Sequence, residues 1–254
     1  MTEKFNSDGV EIAYRQWGEG KPILLIHGFA SNAQVNWVDT GWVKALTGAG
    51  YRVIALDNRG HGQTEKLYNM DQYQAPIMAD DAKRLLDYLA VPKAALMGYS
   101  MGARISAFLT MQHPGRVSCA VFAGLASRLV TGVGGAAAIA DALEAPSAAN
   151  VEDREARAFR LFADSTQSDL AALAACIRSS RVEIKEEALR AISCPVLVVA
   201  GELDDIAGEV EPLVKMLPNA RGMVLPKRNH MNAVGDSGYK ASVLEFLSEH
   251  SDLW

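Results

Sequence analysis

Two four-residue runs, Ile23-Leu24-Leu25-Ile26 and Val196-Leu197-Val198-Val199, are apolar at every position rather than at alternate ones. A strand with one wet face alternates. A run that is apolar throughout needs cover on both faces, as parallel strands have between two layers of helices. Short apolar runs recur along the chain at Val10–Trp17, Pro22–Ile26, Arg52–Leu56, Ala94–Met97, Val117–Ala123, Pro195–Ala200 and Ala220–Leu225. The first of them pairs with the preceding residues through Ser7-Asp8-Gly9, as a hairpin at a sheet edge. Helical stripes lie between the runs: Met78, Ala82, Leu85, Leu86 and Leu89 share one face, and Val243, Phe246 and Leu247 another. This alternation predicts an α/β chain with a mostly parallel, doubly wound sheet of about eight strands. Ligands in such sheets bind beyond the carboxyl ends of the strands.

The alternation stops between Ala123 and Cys194, where no strand pattern is present. Helical patterns over Ala136–Leu143, Glu152–Phe162, Ser168–Ser179 and Ile184–Ala191 fill the gap, punctuated by Gly132-Val133-Gly134-Gly135 and Ala145-Pro146-Ser147. So long a stretch predicts an inserted helical cap rather than a structureless loop. The expected division is a core of residues 1–123 and 192–254, with residues 124–191 as the cap.

Composition narrows the function classes. The net charge is −5 and no Lys/Arg cluster stands out, which argues against a nucleic-acid partner. No apolar run approaches the roughly 20 residues that span a bilayer, and the amino terminus lacks a charged-then-apolar leader, so no membrane association is expected. Cys119, Cys176 and Cys194 are an odd, scattered set without metal-ligand spacing. They read as reduced packing residues of a cytoplasmic protein, with no metal site. Gly132–Gly135 does not follow a strand as G-x-G-x-x-G, so no nucleotide cofactor is implied.

Chemistry concentrates in Gly98-Tyr99-Ser100-Met101-Gly102, which follows the apolar run Ala94–Met97 and precedes a helical stripe of Ile105, Phe108 and Leu109. G-x-S-x-G at a strand-to-helix turn is the pattern of a nucleophile elbow. The turn lifts the serine hydroxyl clear of the sheet and leaves the Met101 amide pointing outward at the positive end of the helix. A serine hydroxyl is a weak nucleophile near neutral pH, so a base must take its proton. Histidine suits that task, and a carboxylate would fix its tautomer and stabilise the imidazolium.

Four features follow one another, each at a strand's carboxyl end: His27-Gly28-Phe29, Asp57-Asn58-Arg59-Gly60-His61-Gly62, the elbow, and Gly201-Glu202-Leu203-Asp204-Asp205, with Asn229-His230 after the last run. In this order the chain resembles the α/β-hydrolase family over nearly its whole length, and the serine esterase and perhydrolase-like members in particular. The resemblance implies Ser100 as nucleophile, His230 as base and Asp204 as orienting acid, in the chain order Ser, Asp, His. Asp205 and Glu202 share the turn with Asp204, which is preferred because the acid in similar enzymes stands three residues after the strand-ending glycine. His61, His113 and His250 compete only weakly as bases. A glycine commonly precedes the histidine in the family, and this chain has Asn229 there. The amides of Phe29 and Met101 are the implied oxyanion donors. His27, Asp57, Arg59 and His61 read as braces for the loops around the site.

Serine at the elbow argues against dehalogenase and epoxide-hydrolase chemistry, because similar enzymes of those kinds carry aspartate there. The reaction expected from the resemblance is hydrolysis of a small carboxylic ester through an acyl-serine. C–C bond hydrolysis of an aromatic breakdown product, cofactor-free perhydrolysis, thioester or lactone cleavage and non-catalytic ligand binding remain alternatives. Trp37, Tyr99, Leu125, Leu129, Val130 and Met231 are expected near the substrate with Phe29. Arg128 and Lys227 are the cations placed nearest the mouth, and little need for a charged handle is expected.

Overall fold

A computed structural model describes residues 1–254. Eight strands form one sheet: β1 (Glu3–Ser7), β2 (Val10–Trp17), β3 (Lys21–Ile26), β4 (Tyr51–Leu56), β5 (Ala94–Tyr99), β6 (Val117–Ala123), β7 (Val196–Gly201) and β8 (Ala220–Leu225). They lie in the order β1-β2-β4-β3-β5-β6-β7-β8. The first pair is the expected hairpin, β2 runs antiparallel to β4, and every later pairing is parallel. The chain winds from β3 to β4 on one side and returns to β5 on the other, so the strand order reverses between β3 and β5. That crevice is where an open α/β sheet binds its ligand.

The helices are α1 (Trp42–Gly48), α2 (Ala75–Tyr88), α3 (Met101–Gln112), α4 (Arg128–Thr131), α5 (Ala136–Glu144), α6 (Arg154–Ser165), α7 (Leu170–Ser179), α8 (Glu186–Arg190), α9 (Val210–Met216) and α10 (Ser237–Glu249). They cover both faces, which is why β3 is apolar throughout. Ile23 and Leu25 pack with Val43 and Leu46 of α1 and with Val243 and Phe246 of α10. Leu24 and Ile26 point the other way, into a layer with Met78 and Leu85 of α2 and Ile105 of α3. Full burial of such a side chain is worth about 1.5–3 kcal/mol, so a strand buried on both faces is strongly held.

The segment between β6 and β7 has no strand and carries α4 to α8. Helices α6 and α7 start two residues later than the sequence pattern suggests, because Asp153 and Asp169 stand outside them as caps. Each carboxylate accepts a bond from a first-turn amide, Ala156 and Ala172 respectively. Arg160 of α6 knits this layer, donating to the carbonyls of Ala142 (2.9 Å) and Ala145 (2.6 Å) and pairing with Asp164 (3.0 Å). The Thr166 hydroxyl, just past α6, lies 3.0 Å from the carbonyl of Ala30 and so ties these helices to the loop after β3.

Candidate active site

The turn between β5 and α3 forces Ser100 to φ 55° and ψ −115°, a conformation that a residue with a side chain rarely adopts. It is held there from three directions. The Ser100 amide donates to the carbonyl of Ala123 on the neighbouring strand at 2.7 Å. A Cβ at Gly98 would run into the backbone of Gly102, and one at Gly102 into the carbonyl of Ile26 on β3. Both glycines are therefore required by close backbone approach.

Three chain segments then bring one hydrogen-bonded line together. His230 Nε2 lies 3.0 Å from Ser100 Oγ. On its other side His230 Nδ1 lies 2.9 Å and 3.0 Å from the two carboxylate oxygens of Asp204. Nδ1 carries the proton in this arrangement and donates to the carboxylate, which leaves Nε2 free to accept from the serine hydroxyl. Asp204 is oriented in turn by the amides of Ile206 (3.0 Å) and Ala207 (2.9 Å), both donating to Oδ1. Of the three acids in that turn only Asp204 reaches the imidazole. Asp205 is exposed, and Glu202 accepts from the Lys227 amide.

The His230 loop accounts for Asn229. Its side-chain oxygen accepts from the amides of Met231 and Asn232, each at 3.0 Å, and its own amide donates to Asn232 Oδ1 at 2.8 Å. Asparagine thus closes the turn with its side chain where a glycine would serve through backbone freedom. The Tyr99 hydroxyl donates to the carbonyl of His230 at 2.6 Å, fixing the loop from the strand side.

The loop after β3 approaches the elbow closely, with the Gly28 Cβ position 3.2 Å from the Tyr99 carbonyl. The Gly28 amide donates to Asn36 Oδ1 at 3.0 Å. The Phe29 and Met101 amides make no backbone or side-chain hydrogen bond, although both residues are buried against the serine. His27 donates from Nδ1 to the Gly28 carbonyl (2.7 Å) and accepts at Nε2 from the Asn58 amide (2.9 Å). Burial pushes its pKa down to about 4. Its neighbour His61 is pushed down to about 3, by burial first and then by His27. Both are therefore neutral imidazoles bracing the loops. Asp57 accepts from the Ala33 and Gln63 amides, each at 2.8 Å, and Arg59 pairs with Asp81 at 2.6 Å.

A cavity of about 210 Å3 opens beside Ser100 and His230. Phe29, Tyr99 and Met231 line it as the sequence suggests, and Val35, Phe159, Phe162 and Val234 complete the apolar wall. Leu125 lines a second, smaller cavity on the other side of Ser100. Three expected lining residues do not reach either space. Trp37 sits on a single wide helical turn, Gln34–Val38, that presents Val35 and Asn36 to the cavity and rotates the indole into the opposite layer against Trp42. Leu129 is turned into the core beneath α4, and its carbonyl accepts from Arg104 at 3.1 Å. Val130 packs against the same layer. Arg128 lies among acids in a surface groove with Glu202 and Glu209, and Lys227 is exposed outside both cavities. The cations that do flank the serine are Arg104 and Arg181. Nothing in the local sequence around Phe159, Phe162 or Arg181 marks them for this place, because helix packing across the β6–β7 segment brings them there.

Comparison with known proteins agrees with the architecture. Residues 21–133 match the family model described as alpha/beta hydrolase fold. A non-heme chloroperoxidase of Kitasatospora aureofaciens is 39% identical over 115 residues, 45% of this chain and 40% of that relative. This match therefore spans less than half the length of the curated relative. Among solved structures, the enol-lactonase from Burkholderia xenovorans LB400 superposes with a TM-score of 0.80 at 20% identity, over 98% of this chain and 100% of that one. The meta-cleavage product hydrolase from Pseudomonas fluorescens IP01 gives 0.78 at 23% identity, over 97% of each chain. A mostly parallel eight-stranded sheet, a serine elbow after its fifth strand and these superpositions agree: the chain has the α/β-hydrolase fold.

Proposed function

We propose that the protein is a serine hydrolase that cleaves a small carboxylic ester through an acyl-serine intermediate. The observation that carries this reading is the unbroken line Asp204–His230–Ser100, with contacts of 2.9 Å and 3.0 Å. His230 Nε2 takes the hydroxyl proton as Ser100 Oγ attacks the ester carbonyl, and Asp204 stabilises the imidazolium that forms. The free amides of Phe29 and Met101 receive the negative charge on the carbonyl oxygen. One such donor is typically worth about 100- to 1000-fold in rate. The imidazolium then protonates the departing alcohol. Water, deprotonated by His230, attacks the acyl-serine and releases the acid.

The cavity beside the serine supports a short or medium apolar arm on the substrate. Residues 124–191 serve as the cap over it, since Phe159 and Phe162 of α6 form its roof. All three cysteines are unpaired thiols, which fits the cytoplasmic setting expected from the sequence.

The test is stopped-flow release of p-nitrophenol from p-nitrophenyl acetate. A burst equal to the enzyme concentration, absent in Ser100→Ala, is the expected result. Slow release without a burst, unchanged in Ser100→Ala, would refute the reading. Perhydrolysis is the second reading, favoured by Met101 after the serine and by relatives named non-heme haloperoxidases. In it hydrogen peroxide replaces water, so that acyl-serine and peroxide give a peracid and free serine. Peracid formation from acetate ester and peroxide would distinguish it.

A further inference from the structure

Ser100 stands where two cavities meet, with Phe29 and Phe159 on the wall between them. The larger one is apolar. The smaller, about 30 Å3, also has mostly apolar walls, but Arg104 and Arg181 stand among its lining residues. Arg104 is on the first turn of α3, four residues after the serine, and only 2% of it is exposed. Its Nη1 donates to the carbonyls of Leu129 (3.1 Å) and Val182 (2.6 Å), and its Nη2 to that of Arg128 (3.1 Å). Nε donates to no protein acceptor. Arg181 donates from Nη1 to the carbonyls of Val133 and Gly134.

Neither arginine has a carboxylate within ion-pair distance. The other two buried arginines of the chain do: Arg59 pairs with Asp81 at 2.6 Å and Arg160 with Asp164 at 3.0 Å. Glu183 and Glu155 influence Arg104 and Arg181 only from a distance. Burial, then the charge of Arg181, pulls the Arg104 guanidinium down to about 10. The buried Arg104 charge beside the half-buried Arg181, without a counter-charge, costs free energy that the backbone carbonyls offset only in part. A fold that keeps them beside its nucleophile has a place prepared for an anion.

We infer that the smaller cavity is a carboxylate subsite, and that the substrate is a half-ester whose free carboxylate is held by Arg104 and Arg181 while its scissile carbonyl meets Ser100. The planar fork of a guanidinium matches a carboxylate, and the volume suits that group and little else. This deepens the ester reading and rests on it. It runs against the expectation from sequence of little need for a charged handle.

Binding to the Ser100→Ala protein tests the subsite without chemistry. Calorimetry with monomethyl glutarate and with methyl pentanoate compares an acidic with a neutral ester of matched length. The half-ester should bind about 10- to 100-fold more tightly, as charge-assisted hydrogen bonds would give. Adding Arg181→Gln or Arg104→Gln should erase that preference. Arg104 braces three carbonyls, so should R104Q fail to fold, R181Q decides. Equal affinity for the two esters, or a preference that survives R181Q, overturns the subsite. Ser100-dependent turnover of p-nitrophenyl acetate reports separately on the ester reading: turnover without the preference sinks the subsite alone, and the preference without turnover sinks the ester reading alone.

Discussion

Acid should unfold this protein earlier than its carboxylates require, because two imidazoles are buried neutral. His27 and His61 are fully buried, each with Nδ1 on a backbone carbonyl, and their pKa values fall from 6.5 to about 4 and about 3. Their folded-state values are depressed below the unfolded one. The unfolded chain therefore binds more protons as pH falls through 6.5, and stability is lost in that direction until the folded values are reached. Near pH 5 the difference approaches two protons, a slope of about 2.5 kcal/mol per pH unit. Integrated from pH 7 to pH 5 the loss is about 4 kcal/mol, a large share of the 5–15 kcal/mol that holds a typical domain. Asp87 and Asp236, lowered from 3.8, and Glu144 and Glu211, lowered from 4.5, enter mainly at more acid pH, so the histidines dominate the window above pH 5.

The assay is urea unfolding followed by tryptophan fluorescence at half-unit steps from pH 7 to pH 5, with the slope read from the fitted stabilities. His61→Gln should halve it, to about 1.2 kcal/mol per pH unit, since one buried imidazole then remains. A stability that is flat across this window in the wild-type protein would refute the reasoning. So would a full slope retained in the variant.

Other substitutions test the site piece by piece. Asp204→Asn should lower kcat by about 10,000-fold through loss of the histidine tautomer, whereas Asp205→Asn, at an exposed neighbour without a role in the line, should leave it within a factor of two or so of wild type in the same p-nitrophenyl acetate assay. Tyr99→Phe removes the one hydrogen bond from the strand to the His230 carbonyl, and should cost about 1–3 kcal/mol in urea unfolding together with a fall in kcat larger than any change in KM. Gly102→Ala drives a Cβ into the Ile26 carbonyl, and should lose about 1–3 kcal/mol or more by thermal denaturation.

The parts of the fold legible in the sequence were those fixed by local pattern. A run such as Ile23–Ile26 has no polar face to offer water, so its burial on both sides follows without knowledge of the rest of the chain. Strand ends were less legible. Gly98 and Tyr99 extend β5 beyond the apolar run because the ladder with β6 continues to Ala123, a pairing that composition does not announce. Helix starts slipped by two residues at Asp153 and Asp169 because a capping side chain resembles a first-turn residue until its bond to a downstream amide is seen.

The site divides along the same line. Ser100, Asp204 and His230 stand at strand ends, where sheet topology alone places them at one edge, so order along the chain carried their positions. Trp37 failed because a single wide turn decides which of Val35, Asn36 and Trp37 faces the cavity, and one residue's rotation moves an indole from ligand space to core. Arg104 shows a subtler limit. On α3 its position is local and readable, but its lack of a counter-charge is a property of everything packed around it, and Arg181 arrives beside it only through the turn after α7. Electrostatic frustration of this kind leaves no mark on a sequence. Strand order therefore places these three residues at one edge of the sheet, whereas what stands beside them depends on how the helices between β6 and β7 pack.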